Sequence, residues 1–329
     1  RVMAVERESC TLSTGQALLR GEVSGRFIFD ASDPQDYPAV GDFVLCEVLD
    51  AEFAYIHRVL PRKSMLTRKE AGRKVRLQVV GANIDRAFIV EALTGDFSLN
   101  RLARYLAVVT ATPITPVLLL TKSDLVAPEV VEAAVTAVHE HHPNLLVVPL
   151  GFRDPEGYRR VLEIMEPRST NCLIGSSGVG KSTLINTIAP ELNTATAAVR
   201  LKDSKGRHTT TRRSLYVLKG GALVLDTPGM RELGVLDAVE GISATFHDLE
   251  VLAKACRFHD CSHLQEEGCA LLGGIAEGTV SQSQYDNYMK LRRENARNNM
   301  DLAQRRKKDK AFGKMVRSVK NEIKRFSDK

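Results

Sequence analysis

The stretch Gly175-Ser176-Ser177-Gly178-Val179-Gly180-Lys181-Ser182-Thr183 decides how this chain is read. It fits G-x-x-x-x-G-K-[ST], the loop that cradles the phosphates of a nucleoside triphosphate. The apolar run Asn171–Ile174 precedes it and the helical pattern Leu184–Ile188 follows. That is the strand–loop–helix setting the motif requires. The glycines let backbone N–H groups turn inward around phosphate oxygens. Lys181 reaches the outer phosphates as a point charge, and Ser182 offers a hydroxyl to Mg²⁺. The start of the helix adds favourable partial charge.

Working outward, Ala222–Leu225 is an apolar strand that ends in Asp226-Thr227-Pro228-Gly229. Asp226 suits Mg²⁺ held through water, and the Gly229 N–H suits contact with a terminal phosphate. Upstream, the apolar run Pro116–Leu120 ends in Thr121-Lys122-Ser123-Asp124. This resembles the guanine-specificity motif of GTPases, usually Asn-Lys-x-Asp. Asp124 would accept hydrogen bonds from the ring N–H and exocyclic amine of guanine, which adenine does not supply. The stem of Lys122 would lie on the base plane.

The order of these parts is unusual. In ordinary GTPases the guanine motif follows DTPG; here it precedes the phosphate loop by about fifty residues. The chain therefore resembles the RsgA (YjeQ/YloQ-type) family of circularly permuted GTPases, the ribosome small subunit-dependent GTPases A. The resemblance covers nearly the whole chain. It includes Tyr37-Pro38-Ala39-Val40-Gly41-Asp42, Leu60-Pro61-Arg62-Lys63, Ala82-Asn83-Ile84-Asp85, Gly206-Arg207-His208-Thr209-Thr210-Thr211 and a late cysteine cluster. It implies a multidomain α/β protein: an N-terminal OB-fold β-barrel, a permuted P-loop GTPase domain and a C-terminal helical zinc-binding module. The expected bounds are 1–80 for the barrel with its basic connector, 81–236 for the GTPase domain and 237–300 for the zinc module. A basic amphipathic helix is expected over 301–329.

The local patterns agree with that division. Gln16–Val23, Arg26–Phe29, Asp42–Val48 and Ala54–Val59 are short β-prone runs separated by turn signals, which suggests a small barrel. On pattern alone an SH3-like barrel and an OB-fold are equally allowed; the resemblance selects the latter. The connector carries Arg62, Lys63, Arg68, Lys69, Arg73, Lys74 and Arg76 without interleaved aromatics, which favours RNA backbone contact over base stacking. From Arg86 onward strands alternate with helices. Strands are expected at Ala87–Glu91, Pro116–Leu120, Leu145–Leu150 and Asn171–Ile174, and helices at Arg101–Thr110, Glu129–His142 and Glu156–Met165. That alternation predicts a parallel sheet covered on both faces, with nucleotide at the C-terminal strand edge. The second guanine-contacting loop, often Ser-Ala-x in the family, should follow Leu150; Gly151-Phe152 stands there and is left unassigned.

Glu191–Arg212 is long and polar, in the position of the first switch. Thr210 is the expected second Mg²⁺ ligand, with Thr209 and Thr211 as the alternatives. Met230 occupies the place where many GTPases carry a water-orienting Gln, and Met cannot orient water. The resemblance gives that task to His208. Cys256-x4-Cys261-x-His263-x5-Cys269 offers three thiolates and an imidazole, a set suited to one closed, structural tetrahedral Zn²⁺. The helical pattern Ser283–Arg297 follows it.

Composition fits a globular protein: 329 residues, 43% apolar and 26% charged. No apolar run reaches about eighteen residues, so no membrane helix is expected. The first residues lack the apolar core of a secretory leader, and scattered cysteines fit a reducing, cytoplasmic setting. The net charge of +6 is concentrated: residues 301–329 hold eleven Lys or Arg against four acids, a surplus of seven. A basic terminus suits phosphate-backbone contact. In that tail Phe312, Val316, Val319, Ile323 and Phe326 form one apolar helical stripe. The resemblance implies GTP hydrolysis to GDP and phosphate on the small ribosomal subunit, late in its assembly. The implied partners are that subunit, its rRNA and GTP or GDP, with a monomer expected. An RNA-binding assembly factor with a purely structural nucleotide is the alternative.

Overall fold

The computed structural model describes residues 1–6, 8–69, 77–95, 97–190, 213–226 and 238–299. Five strands open the chain: β1 (Val2–Val5), β2 (Cys10–Ser13), β3 (Leu18–Val23), β4 (Val44–Val48) and β5 (Phe53–Val59), with α1 (Gly25–Asp30) between β3 and β4. They pair in the order β1-β2-β3-β5-β4. The β3–β5 pair is parallel and the others antiparallel. Val2 N–H donates to Asp42 O at 2.8 Å and Gly41 N–H donates to Val2 O at 2.9 Å, so the segment entering β4 returns to β1. This is the five-stranded Greek-key barrel of an OB-fold. Its interior holds Val2, Leu12, Leu19, Ala54 and Ile56.

Arg26–Phe29, expected as a strand, is helix α1 instead. Ser24 caps it by accepting from Phe27 N–H at 3.2 Å. Of its aromatic residues only Phe27 is buried, whereas Phe29 is 90% exposed. The cap and a single buried anchor override the β-preference of the run.

Strands β6 (Met65–Lys69) and β7 (Leu77–Ala82) form a separate two-stranded ribbon. The main sheet follows: β8 (Arg86–Ala92), β9 (Thr115–Thr121), β10 (Leu146–Leu150), β11 (Thr170–Ile174), β12 (Arg213–Val217) and β13 (Leu223–Asp226). Its order is β10-β9-β8-β11-β13-β12. All neighbours run parallel except β12, antiparallel to β13. β12 also pairs with β1, through Ala4 opposite Ser214, which joins sheet and barrel.

Both faces of this sheet are covered, as unbroken apolar strands require. Ala87, Ile89, Leu118, Leu120 and Ile174 pack with α2 (Leu99–Thr110) and α3 (Pro128–His141). The alternate residues Phe88, Val90, Val117, Leu119 and Leu173 pack with α4 (Pro155–Ile164) and α5 (Lys181–Ile188). The helices α6 (Val239–Thr245), α7 (His247–Ala253), α8 (Ala270–Ala276) and α9 (Gln282–Asn298) form the C-terminal part. Ile242, Phe246 and Leu291 share the core of Leu102 and Leu106 on α2. Arg104 of α2 grips Glu294 of α9 through two bonds of 2.8 and 2.6 Å.

The chain steps outward from β8 to β9 and β10, then returns to β11 beside β8 before continuing to the other side. The β8/β11 junction is therefore a topological switch point, and a crevice opens beyond the strand ends there.

Candidate nucleotide crevice and cysteine–histidine cluster

The Gly175–Thr183 segment follows directly from β11, and its last residues, Lys181–Thr183, open α5. Gly175 passes so close to β8 that a Cβ would sit 2.3 Å from the Val90 carbonyl oxygen, so only glycine fits. Gly180, at φ 101°, caps the N-terminus of α5 in a left-handed turn. Lys181 Nζ donates to the Gly175 carbonyl at 2.7 Å and to the Ser176 carbonyl, folding the ammonium back over the loop. Ser182 and Thr183 lie in the first turn of α5.

The upstream Thr121-Lys122-Ser123-Asp124 segment meets this loop. Thr121 ends β9, and its hydroxyl bonds to the Val179 carbonyl at 2.6 Å and approaches the Glu91 carbonyl at 3.2 Å. The residue that departs from the usual Asn-Lys-x-Asp pattern thus ties the two segments together across 58 positions of sequence. Lys122 takes a left-handed conformation, φ 59°, and Ser123–Leu125 forms a single 3₁₀ turn that presents Asp124 to solvent. Asp124 Oδ1 accepts from Phe152 N–H at 3.0 Å. The unassigned Gly151-Phe152 turn therefore belongs to the crevice.

Two supports escaped the sequence reading. Glu91, fully buried at the end of β8, receives Arg101 Nε at 2.9 and 3.1 Å and Arg101 Nη2 as well. This pair fixes the start of α2 against the strand edge. One turn later on α2, Tyr105 is buried beside Ser176 of the loop, and burial pushes its phenol pKa up. A neutral phenol thus lies against the loop. Neither support carries a motif; only the topology brings α2 beneath the loop.

Asp226 closes β13, its backbone opposite Ser214. Gly229, His208 and Thr210 lie outside the described residues.

The connector's cations are partly committed. Arg62 clamps the buried Asp42 through two bonds of 2.8 Å and also donates to the Gln35 and Tyr37 carbonyls. Lys63 reaches Asp85 at 2.6 Å. These two hold the barrel's exit in shape.

Cys256, Cys261, His263 and Cys269 converge, with their potential ligand atoms all within 4.8 Å of one another. His263 Nδ1 lies 3.5 Å from Cys256 Sγ and 3.6 Å from Cys269 Sγ. His263 is buried with φ 61°, and its carbonyl accepts from the Tyr285 hydroxyl at 2.5 Å. Burial lowers its pKa, assisted by the charge of Arg292, which keeps the imidazole in its neutral, ligating form. The Ala270 N–H points at Cys256 Sγ at 3.3 Å, a donor suited to a thiolate. Three thiols and an imidazole at these separations fit a tetrahedral metal site.

A phosphate loop at a switch point, a guanine-type motif hydrogen-bonded to it, and the inverted order of the two define a circularly permuted P-loop nucleotide-binding protein. The RsgA GTPase family model matches residues 59–236, and the chain belongs to that family. It is 43% identical over 298 residues to the small ribosomal subunit biogenesis GTPase RsgA 2 of Vibrio vulnificus, covering 91% of this chain and 84% of that one. Its fold matches the crystal structure of YjeQ from Thermotoga maritima, with TM-score 0.65, 22% identity, and coverage of 88% of this chain and 95% of that chain. It also matches YloQ, a circularly permuted GTPase, with TM-score 0.59, 24% identity, and coverage of 88% and 92%.

Proposed function

We propose that this GTPase hydrolyses GTP to GDP and phosphate on the small ribosomal subunit, late in the subunit's assembly. The Thr121–Val179 bond carries the reading, because it joins a base-reading motif to a phosphate-reading loop in one crevice. The name of the Vibrio relative supports the choice of partner. In this reading Thr121–Asp124 contact the base, and the amides of Gly175–Thr183 surround the phosphates. Lys181 leaves its carbonyl partners for the outer phosphate oxygens. Ser182 and Thr210 would hold Mg²⁺, with Asp226 behind it through water. Such an ion would neutralise charge on the phosphate oxygens. Gly229 N–H contacts the terminal phosphate. His208 orients the attacking water, the task that Met230 cannot perform.

The reading further assigns Zn²⁺ to Cys256, Cys261, His263 and Cys269 as a structural site, since four protein ligands leave no open position. It treats 1–80, 81–236 and 237–300 as barrel, GTPase and zinc units, with 301–329 as a basic helix beside rRNA. It implies a cytoplasmic monomer. Among the described residues no helix is long and apolar enough to cross a membrane.

Turnover measured with and without purified small subunits tests the proposal. Stimulation by the subunit is expected, and His208→Ala should keep GTP and subunit binding while losing roughly 10²–10⁴-fold of stimulated single-turnover rate. Turnover indifferent to the subunit would favour an RNA-binding factor with a structural nucleotide.

A further inference from the structure

Of the four clustered residues, His263 alone has its backbone in the left-handed region, at φ 61°. A residue with a side chain seldom keeps that conformation without outside ties. The ties are present, and one side chain makes most of them. Glu266 Oε1 accepts from the Ser262 N–H at 2.9 Å and also from the Ser262 hydroxyl. Glu266 Oε2 accepts from the Leu264 N–H at 3.0 Å and the Gln265 N–H at 3.1 Å. One oxygen thus grips the residue before His263, and the other grips the two residues after it. From α9, the Tyr285 hydroxyl donates to the His263 carbonyl at 2.5 Å. A carboxylate has about four acceptor positions, and these four donors fill them. Glu266 is therefore spent on the backbone and is not a fifth ligand for the cluster. Backbone N–H groups around a left-handed residue form a concavity suited to an anion, and here the chain supplies its own.

We propose that Glu266 is a positioning residue for the metal centre: its carboxylate clamps the backbone on both sides of His263 and so aims the imidazole at the three thiolates. The inference rests on the metal-site reading of Cys256, Cys261, His263 and Cys269. The segment needs such a clamp because little apolar packing shapes it; Phe258 and Leu264 are both exposed. Groups that orient a metal ligand without touching the metal are commonly worth about 10–100-fold in affinity. Part of that gain is entropic, since a clamped loop loses less freedom when an ion closes it.

The test is competition for zinc between the full-length chain and a chromogenic chelator at neutral pH. Wild type is compared with Glu266→Ala, Glu266→Gln, Glu267→Ala, His263→Ala and the double variant Glu266→Ala/His263→Ala. Glu267→Ala removes an exposed neighbouring carboxylate of equal charge. The midpoint of each competition curve does not change with the fraction of protein folded. We expect Glu266→Ala to weaken zinc about 10–100-fold. Glu266→Gln keeps a single oxygen acceptor, so it should fall between Glu266→Ala and wild type. Glu267→Ala should match wild type. A general loosening of the loop would weaken the metal whether or not the imidazole is present. Positioning of His263 predicts instead that, in the His263→Ala background, Glu266→Ala adds no more than about 2-fold. Cobalt supplies a second readout: the visible absorption of cobalt-loaded Glu266→Ala should move toward that of His263→Ala. Wild-type zinc affinity in Glu266→Ala, or an equal loss with and without His263, would overturn the proposal. A wild-type chain that takes up no zinc would instead remove the metal reading, and this inference with it.

Discussion

The nucleotide crevice and the cysteine–histidine cluster are built in opposite ways. The crevice is made of backbone at strand ends, with glycines where a side chain would collide and hydroxyls or amides as ties. Its walls rest on parallel strands whose residues Phe88, Ile89, Leu118, Leu119 and Leu120 are fully buried. The cluster gathers four side chains from fourteen consecutive residues, between α7 and the start of α8. From Arg257 to Glu267 the only hydrophobic side chains besides Cys261 are Phe258 and Leu264, and both are exposed. One region is shaped by the core beneath it. The other has little core of its own, so its shape should depend on what the four ligands hold.

Metal removal should show the largest effect. Binding free energy at a structural zinc site is folding free energy, about 10–16 kcal/mol in small zinc-dependent peptides. Chelation or Cys261→Ser should therefore expose amides around 256–269 to hydrogen exchange, while β8, β9 and β11 keep their protection. Elemental analysis should give about one zinc per chain. Unchanged exchange around the cluster after full metal removal would erase the contrast.

Glu91→Ala removes the buried carboxylate that Arg101 grips and should cost about 1.5–3 kcal/mol in denaturant unfolding of the sheet region, the worth of hydrogen bonds to a charged group. It should leave zinc content unchanged. A loss below about 1 kcal/mol would show that the crevice is not held by this pair.

A smaller test uses pH. His142, at the end of α3, has its pKa lowered to about 4, by burial first and the neighbouring His141 second. The unfolded ring titrates near 6.5, so between pH 6.5 and 4 the unfolded state binds the extra proton. Stability is therefore fully present above pH 6.5 and declines as pH falls through this window. The decline is at most roughly 3 kcal/mol, less because the ring is partly exposed. His142→Asn should flatten this slope for the sheet, while acid release of the metal from the cluster stays as in wild type. An unchanged slope would assign the acid response to other groups.

The same contrast explains what the sequence disclosed. Strands β8 to β11 and helices α2 to α5 were legible because uninterrupted apolar runs and 3.6-residue periods sit between turn signals. The phosphate loop and the Cys₃His spacing were legible because their chemistry is local. The four-residue strands β1 and β2 carry too few residues to show a period, and α1 hid behind the β-preference of Phe27, Ile28 and Phe29. The supports of the site were invisible for another reason. Glu91 with Arg101, Tyr105 with Ser176, and Asp124 with Phe152 meet only because the strand order folds distant segments onto one edge. The Thr121 hydroxyl looked like a weakened motif until the loop carbonyl it binds came into view.

Guanine recognition should rest most heavily on Asp124. Affinities of GTP and xanthosine triphosphate for wild type and Asp124→Asn measure that role directly, since xanthine carries an oxygen where guanine has its amine. Asp124→Asn should weaken GTP by roughly 100-fold or more and strengthen xanthosine triphosphate. An Asp124→Asn protein that binds GTP as tightly as wild type would contradict that role.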